Sequence, residues 1–201
     1  MKPNNIAIYW GAFDPPTIGH THVMSQVLQE TDIDTIILSP DWDRVDKNCK
    51  IPIQHKLKIA RLYAKHLQQQ WLNIQIDTHF LEWKSYHDTN TLEVDRYFRD
   101  LHGENIWHIF GSDVMPNMHN WQGNRDEYIE KTLKKIFIPR PWFPIDIDKY
   151  RMEQSLAIDS ESLDVSSTDV RQLIEQKKSE VAKIIASEDI LEYIQKNKLY
   201  T

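Results

Sequence analysis

Short apolar runs alternate with stretches of helical periodicity along this 201-residue sequence. Apolar runs bounded by turn residues predict buried strands, and apolar residues that recur every three or four positions predict helices with one buried face. The predicted strands are residues 6–10, 35–39, 72–78, 106–110 and 135–138. The predicted helices are residues 17–29, 53–68, 91–101, 167–177 and 188–196.

Strands that alternate with helices form βαβ units, so we expect an α/β fold built on a mostly parallel sheet. No repeat, low-complexity tract or Gly/Ser-rich linker interrupts the pattern. This predicts a single domain over residues 1–201, with residues 165–201 as its C-terminal helical part. Because ligands of such sheets bind at the carboxyl ends of the strands, the strand-to-helix turns are the places to look for a site.

Composition narrows the classes of partner. The sequence has 24 Lys and Arg against 30 Asp and Glu, a formal net charge of −6. An acidic globular chain argues against a nucleic-acid backbone or an anionic membrane as partner. Cys49 is the only cysteine, which excludes an intramolecular disulfide and fits a reducing compartment. We find no signal-peptide pattern and no apolar stretch long enough for a membrane span, so we expect a cytoplasmic protein. The sequence leaves open whether the protein is a homo-oligomer.

The turn after the first predicted strand carries candidate chemistry, because residues 11–20 read GAFDPPTIGH. Gly11 permits a close approach of the backbone to a ligand. Thr17 and His20 lie on one face of a helix N-terminus, where N–H groups and the helix dipole favour phosphate. Gly19 is expected to leave room beside His20 for a bulky anion. Taken alone, Thr-x-x-His is more often a helix cap followed by a packed histidine.

The segment after the fourth predicted strand, residues 111–121, has a similar character. Asp113 comes just after a strand and can accept hydrogen bonds from both hydroxyls of a ribose. Trp121 can stack on a flat heterocycle. A helix-capping aspartate and a core tryptophan are the plainer interpretations of the two residues.

Residues 165–171 place hydroxyl groups at the start of a predicted helix. Ser167 and Thr168, with the cation of Arg171 one turn further on, could cradle a polyphosphate. An ordinary capping box with a surface arginine is the plainer interpretation here.

Together the three segments resemble one enzyme family. Residues 11–20 resemble the G-x-F-[DN]-P-x-[HT]-x-G-H signature of the nucleotidyltransferase superfamily related to class I aminoacyl-tRNA synthetases. Residues 111–121 resemble the G-x-D-x-L-x-x-[LF]-x-x-W segment of bacterial nicotinate-mononucleotide adenylyltransferases, and residues 165–171 resemble their I-S-S-T-x-I-R segment. Residues 197–200 resemble the family's closing N-x-L-Y. The resemblance runs from about Ile6 to Tyr200.

The resemblance implies a Rossmann-like, doubly wound sheet with helices on both faces, and an enzyme of NAD biosynthesis. Such an enzyme transfers AMP from ATP to nicotinate mononucleotide and forms deamido-NAD and pyrophosphate. The transfer is a direct in-line attack without a covalent enzyme intermediate. The implied cofactor is Mg²⁺ held on the phosphates, with no ligands from protein side chains.

The resemblance also implies roles for particular residues. His20 and Thr17 are the implied catalytic residues and contact ATP phosphates. The residues implied to bind ATP are Gly11, Ala12, Phe13, Gly19, Gly111, Asp113, Ser167, Thr168 and Arg171. The residues implied to bind the mononucleotide are Trp121, Asp88, Thr89, Arg140 and Lys47.

Three departures from the family pattern bear on the substrate. Most relatives with this substrate have His at the position of Thr17, whereas Thr is usual in phosphopantetheine adenylyltransferases. Residues 39–47 lack the family's P-P-H-K, and Arg44 or Lys47 could supply its cation. Asp88 stands where the family has Thr near the pyridine carboxylate. A carboxylate there would repel nicotinate but could accept a hydrogen bond from a carboxamide.

Two alternative functions follow from these departures. One is an adenylyltransferase that acts on nicotinamide mononucleotide, which Asp88 would favour, or on phosphopantetheine, which Thr17 favours. The other is a catalytically weak nucleotide-binding regulator on the same fold. The T-I-G-H resemblance to H-I-G-H of tRNA synthetases carries less weight, because a second signature lysine motif is not visible and the net charge is wrong for tRNA.

Overall fold

The computed structural model describes residues 5–41, 51–70, 72–82, 90–121, 127–160 and 163–201. Four of the sequence-based candidates, Arg44, Lys47, Asp88 and Thr89, lie outside the described residues, so their predicted roles stay predictions.

Six strands form one parallel sheet, which confirms the predicted Rossmann-like α/β fold. The strands are β1 (Ile6–Gly11), β2 (Thr35–Pro40), β3 (Ile74–Ile76), β4 (Ile106–Gly111), β5 (Lys135–Ile138) and β6 (Ser155–Ala157). Their order in the sheet is β3-β2-β1-β4-β5-β6. The chain adds β2 and β3 on one side of β1, then crosses over and adds β4, β5 and β6 on the other side. Dinucleotide-binding folds have the same strand order.

Helices connect most of the strands. The α-helices are α1 (Ile18–Glu30), α2 (Ile53–Gln69), α3 (His79–Glu82), α4 (Thr91–His102), α5 (Ser167–Glu175) and α6 (Glu188–Lys196). The 3₁₀ helices are Ser112–Asn120 and Ser179–Lys183, and Tyr128–Thr132 is a π-helix. Among the described residues, no helix combines the length and apolar character needed to cross a membrane.

Apolar periodicity predicted some elements to the residue and missed others. The predicted strand 135–138 and helix 188–196 are confirmed residue for residue. The predicted strand 72–78 is shorter in the structure, at Ile74–Ile76. Strand β6 has the sequence Ser-Leu-Ala, which shows no apolar run, and the 3₁₀ helix Ser112–Asn120 contains Pro116, which disfavours a helix in sequence reasoning.

The Cα positions group into two compact units that the sequence interleaves. Unit 1 comprises Met1–Tyr9, Gln26–Ile37 and Asp88–Ser162, and unit 2 comprises Trp10–Ser25, Leu38–His87 and Leu163–Thr201. Each unit buries its own apolar residues. The prediction of a single domain stays a prediction.

Unit 1 has a methionine-rich core. The buried residues of this cluster are Met115, Met118, Ile129, Leu133, Phe137 and Met152. Lys135 is also fully buried in unit 1, and its Nζ donates to the carbonyl oxygens of Ile129 at 2.5 Å and Leu133 at 2.9 Å. The ammonium group therefore satisfies carbonyls at the end of the π-helix. Burial lowers the pKa of Lys135 to about 8.

In unit 2, α2 packs against α6 and β3. The buried face of α2 includes Ile59, Tyr63 and Leu67, and α6 contributes Ile190 and Ile194. These residues recur at the helical spacing expected for a single apolar stripe. The packing fixes α6, and with it the chain that follows α6.

A buried polar network connects α4 to β4 in unit 1. Asp95 and His108 are each 2% exposed, and His108 Nε2 lies 2.9 Å from Asp95 Oδ1. Arg99 Nε donates to Asp95 Oδ2 at 2.6 Å. Burial alone would raise the pKa of Asp95, but hydrogen bonds from His108 and Arg99 outweigh it and lower that pKa from its usual 3.8.

We predict that Asp95→Asn lowers the free energy of unfolding by about 2–3 kcal/mol at pH 7, because it weakens buried charge-assisted hydrogen bonds. A lowered folded-state pKa means that the stabilisation is complete above the unfolded pKa and is lost as pH falls through the folded pKa. The difference between wild type and variant should therefore shrink below about pH 4. Urea unfolding from pH 3 to 7 measures it, with Asp100→Asn on the exposed face of α4 as control. Equal losses in both variants would contradict the prediction.

Candidate active site

The loop from β1 to α1 belongs to unit 2 and brings aromatic and polar groups together. Phe13 has a φ of 42°, in the left-handed region, and is 7% exposed. Its ring meets the ring of His20 edge to face, with centroids 5.1 Å apart. The buried phenyl ring therefore supports one side of the half-buried imidazole.

Thr17 and His20 cap the start of α1 for each other. His20 Nδ1 accepts a hydrogen bond from the Thr17 backbone N–H at 3.0 Å and lies 2.9 Å from Thr17 Oγ1. In return, the His20 backbone N–H donates to Thr17 Oγ1 at 3.4 Å. This is the geometry of a capping box, with an imidazole nitrogen in the place of the usual Glu or Gln oxygen. The spacing of three residues between Thr and His is what the box requires.

The reciprocal cap fixes the proton on the imidazole. Because a backbone N–H can only donate, Nδ1 of His20 must be an acceptor, so we assign the proton of the neutral ring to Nε2. Thr17 Oγ1 then donates to Nδ1. The histidine is thereby held as an Nε2–H donor whose ring plane is set by its own helix.

Complete burial of Thr17 bears on its predicted role. Its side chain is 0% exposed and its hydroxyl is directed to the imidazole, which argues against the predicted direct contact with a phosphate. In the structure Thr17 contacts His20, and its predicted catalytic role stays a prediction.

The start of α1 is also less open than the sequence suggested. The N–H of Ile18, the first residue of the helix, donates to the carbonyl of Ile184 at 3.0 Å. A Cβ on Gly19 would lie 3.2 Å from the carbonyl oxygen of Val165. Gly19 therefore allows close packing against that backbone, and its predicted contact with ATP stays a prediction. The helix dipole and His20 Nε2–H remain as features that favour phosphate.

Helix α5 begins with a second capping box, formed by Ser166 and Asp169. The Ser166 side chain accepts from the Asp169 N–H at 3.2 Å, and the Asp169 carboxylate accepts from the Ser166 N–H at 2.8 Å. The plainer interpretation of this segment is thus correct for these two residues. It leaves Ser167, Thr168 and Arg171 for other contacts.

Two of those three residues bind the backbone of the β1–α1 loop. Ser167 Oγ donates to the carbonyl of Pro15 at 2.9 Å, and Arg171 Nη1 donates to the carbonyl of Asp14 at 2.6 Å. Arg171 Nη2 also donates to Thr168 Oγ1 at 3.0 Å. The guanidinium is half-buried and fixed at two corners beside the loop that carries His20. Unit 2 therefore brings together the predicted phosphate-binding residues of two separate segments.

Unit 1 contains the other set of predicted residues, Gly111, Asp113 and Arg140. A Cβ on Gly111 would overlap the Asp113 carboxylate and lie 2.9 Å from Arg140 Nε, so any larger residue there would have to displace these two side chains. Arg140 Nε lies 3.9 Å from Asp113 Oδ1. Half of the Asp113 side chain is exposed, and no side chain caps the 3₁₀ helix that contains it. The carboxylate is available to hydroxyl groups of a ligand.

Sequence reasoning missed two residues beside this pair. Ser112 is buried, donates from Oγ to the carbonyl of Phe143 at 2.6 Å and accepts from the Arg140 N–H at 2.9 Å. It therefore ties the turn after β5 to the end of β4. Tyr9 is 8% exposed, and burial raises its pKa to about 12, with Asp113 adding to the effect and Arg140 opposing it. A serine directly after the strand-ending glycine was the one signal available in the sequence.

Trp121 is partly buried and packs against the methionine-rich core of unit 1. Its ring is tilted against Phe110, with centroids 5.8 Å apart. The core supports the indole, and its predicted stacking on a substrate ring stays a prediction.

Metal ligands are scarce in the described part of the chain. No group of three or more His, Cys, Asp or Glu side chains there could hold a metal ion. The residues gathered in unit 2 near His20 and Arg171 are mainly hydrogen-bond donors, which suit phosphate oxygens rather than a cation.

The comparisons with known proteins define the class first. Residues 8–173 match the family model described as Cytidylyltransferase-like. The chain belongs to this family.

Curated relatives then narrow the class. A protein of Clostridium tetani is 29% identical over 203 residues, covering 96% of this chain and 98% of the relative. A protein of Streptococcus pneumoniae is 27% identical over 213 residues, covering 99% and 90%. Each is named "Probable nicotinate-nucleotide adenylyltransferase". The resemblance identified from the three sequence segments is confirmed.

A solved structure agrees in fold. The nicotinic acid mononucleotide adenylyltransferase of Plasmodium falciparum, complexed with NaAD, has a TM-score of 0.81 over 98% of this chain and 97% of its own, at 21% identity. This likeness establishes the common fold.

We predict that Thr17→Val lowers the free energy of unfolding by about 1 kcal/mol, because it removes a helix cap and a donor to the imidazole. Thr17→Ser keeps the hydroxyl and should stay close to wild type. The ¹⁵N chemical shift of His20 Nδ1 should move in the valine variant and hardly at all in the serine variant.

The control is Thr21→Val. Thr21 belongs to α1, as His20 does, and its hydroxyl lies 3.1 Å from Tyr63 Oη of α2. This variant should leave the His20 shift unchanged. If Thr17→Val and Thr21→Val gave the same His20 spectrum, the reciprocal cap would be refuted.

Proposed function

We propose that this protein transfers AMP from ATP to nicotinate mononucleotide, giving deamido-NAD and pyrophosphate. The observation that carries the proposal is the reciprocal hydrogen bonding of Thr17 and His20, which holds a fixed N–H donor at a helix N-terminus. A preorganised donor of this kind stabilises charge that develops on a phosphoryl group without reorganising during the reaction. The names of the curated relatives support the choice of substrates.

The phosphates of ATP are assigned to residues of unit 2. His20 Nε2–H donates to the α-phosphate, and Arg171 and Thr168 hold the β- and γ-phosphates. Arg171 suits this role because its guanidinium has five N–H donors in one plane. Hydrogen bonds to the Asp14 carbonyl and the Thr168 hydroxyl fix that plane. Ser167 is used differently, since its hydroxyl already donates to the loop carbonyl of Pro15.

The nucleoside parts are assigned to residues of unit 1. The half-exposed carboxylate of Asp113 accepts from the hydroxyls of the adenosine ribose, and Gly111 allows it to lie against the backbone. Trp121, supported by the core, stacks on the pyridine ring, and Arg140 adds a positive charge for the mononucleotide. Gly11, Ala12 and the backbone of Phe13 complete the ATP-binding residues, as the sequence predicted.

The reaction needs no nucleophile from the protein. An oxygen of the mononucleotide 5′-phosphate, already an anion, attacks the α-phosphorus of ATP. As the new P–O bond forms, the bond from the α-phosphorus to the bridging oxygen breaks, and the electron pair leaves with pyrophosphate. His20 stabilises the charge on the α-phosphoryl oxygens, and Arg171 stabilises the charge on the leaving group.

Mg²⁺ fits this arrangement when the phosphate oxygens of the substrates are its ligands. The donors near His20 and Arg171 bind phosphate oxygens, and Mg²⁺ is commonly held by substrate phosphates and water. When bound, it neutralises charge on the triphosphate. The enzyme is proposed to be cytoplasmic, and its acidic net charge of −6 supports small nucleotides rather than nucleic acid as partners.

We predict that the purified protein with ATP and Mg²⁺ releases pyrophosphate, with the highest kcat/KM for nicotinate mononucleotide. Parallel assays use nicotinamide mononucleotide and phosphopantetheine as acceptors. A higher kcat/KM for phosphopantetheine would overturn the proposed acceptor. Binding of ATP without pyrophosphate release from any acceptor would favour the catalytically weak regulator instead.

We predict that His20→Ala lowers kcat about 100- to 1,000-fold, the range for removing a preorganised charge stabiliser. The KM for the mononucleotide should change little. His22→Ala, two residues further along α1 and on a different face, is the matched control and should keep kcat near wild type. An unchanged kcat in His20→Ala would exclude the assigned role.

A further inference from the structure

The carboxylate of Asp14 is buried beneath the phosphate-binding residues of unit 2. Asp14 is 3% exposed and precedes Pro15 in the β1–α1 loop. Its Oδ1 accepts a hydrogen bond from the Tyr200 hydroxyl, and its Oδ2 lies 4.0 Å from Lys56 Nζ. The two partners come from different elements, because Lys56 belongs to α2 and Tyr200 follows α6.

Lys56 and Tyr200 contribute differently to the stability of the buried Asp14 carboxylate. At 4.0 Å the Lys56 ammonium is too distant for a hydrogen bond, yet in a buried setting it compensates the carboxylate charge. A charge at that distance does little to fix the rotation of the carboxyl group. The Tyr200 hydroxyl supplies the directional contact, so it sets the orientation of the Asp14 side chain.

The backbone of the same two loop residues holds the phosphate-binding side chains. The carbonyl of Asp14 accepts from Arg171, and the carbonyl of Pro15 accepts from Ser167. A displacement of the Asp14 backbone therefore moves the acceptor that fixes the guanidinium, and an anchored side chain opposes that displacement. Asp14 therefore connects Tyr200, which contacts its side chain, to Arg171, which contacts its carbonyl.

The chain makes an unfavourable bend to bring Tyr200 to this position. Lys198 has a φ of 52° and Tyr200 a φ of 62°, both in the left-handed region. Left-handed conformations are unfavourable for residues other than glycine. The bend leaves Tyr200 only 9% exposed, with its hydroxyl on a charged acceptor.

We propose that Tyr200 is a positioning residue for ATP: through the Asp14 carboxylate it fixes the loop carbonyls that hold Arg171 and Ser167. This inference rests on the proposed function, since it assigns ATP phosphates to Arg171. It gives the chain after α6 a part in substrate binding.

The test is Tyr200→Phe, which removes one hydroxyl and keeps the ring. We expect the Kd for ATP, measured by calorimetry without acceptor, to rise about tenfold, below the ~100-fold loss associated with a 1 Å misplacement in an active site. The KM for ATP should rise with it, and the KM for nicotinate mononucleotide should stay the same.

Tyr193→Phe is the matched control. Its hydroxyl lies 2.8 Å from His55 Nδ1. Like Tyr200→Phe, this variant removes one tyrosine hydroxyl contact, but that contact joins α6 to α2 and does not involve Asp14. The thermal unfolding midpoint of both variants is measured, so that a loss of affinity can be compared with a loss of stability. Lys56→Gln, which removes the charge on the other side of Asp14, should also raise the Kd for ATP.

The outcomes separate this inference from the proposed function. A rise in the Kd for ATP in Tyr200→Phe but not in Tyr193→Phe supports the positioning role, whether or not the enzyme accepts nicotinate mononucleotide. Equal Kd values for ATP in the two variants and wild type, or equal losses that follow the loss of stability, overturn it. Wild-type protein that binds ATP but releases no pyrophosphate overturns the proposed function alone.

Discussion

A helix cannot begin without satisfying its first N–H groups, and at α1 that constraint is met by a histidine. The reciprocal bonds between Thr17 and His20 close the start of the helix, and the same bonds leave Nε2 as the protonated nitrogen of the ring. One set of contacts therefore both caps the helix and determines which nitrogen of His20 carries the proton. The donor is held locally, by the residue that precedes the helix and by the ring of Phe13 in the preceding loop.

The family signature, as the resemblance gives it, allows histidine or threonine at the position of Thr17. A histidine there would bring another N–H donor and, when protonated, a positive charge. The buried threonine brings no charge, but its hydroxyl donates to Nδ1 and keeps the ring of His20 in one orientation. The positive charge then has to come from elsewhere, and in unit 2 the fixed guanidinium of Arg171 is a source of it. The site relies on a few placed groups in a chain of net charge −6.

Sequence reasoning reached the fold and the identity of the segments because both are encoded locally. Alternating apolar runs and helical periodicity predicted the parallel sheet, and three ordered segments predicted the family. Contacts between residues distant in sequence were not accessible in this way. The backbone of Val165 lies close to Gly19, and the burial of Thr17 depends on how the whole unit packs. The spacing of Gly111 and Asp113 was visible in the sequence, but the close approach of Arg140 to Gly111 was not.

The contact between Asp14 and Tyr200 shows the limit most clearly, because 186 positions separate the two residues. Local propensity argues against the conformation of Tyr200, whose φ is positive, and nothing near it in the sequence identifies a buried acceptor. What selects the conformation is the pairing of a buried carboxylate with one distant charge and one directed hydroxyl. Charge compensation from Lys56 makes the burial of Asp14 tolerable, and the hydroxyl makes its orientation definite. Both contacts anchor the Asp14 side chain, and with it the backbone position of the residue whose carbonyl accepts from Arg171.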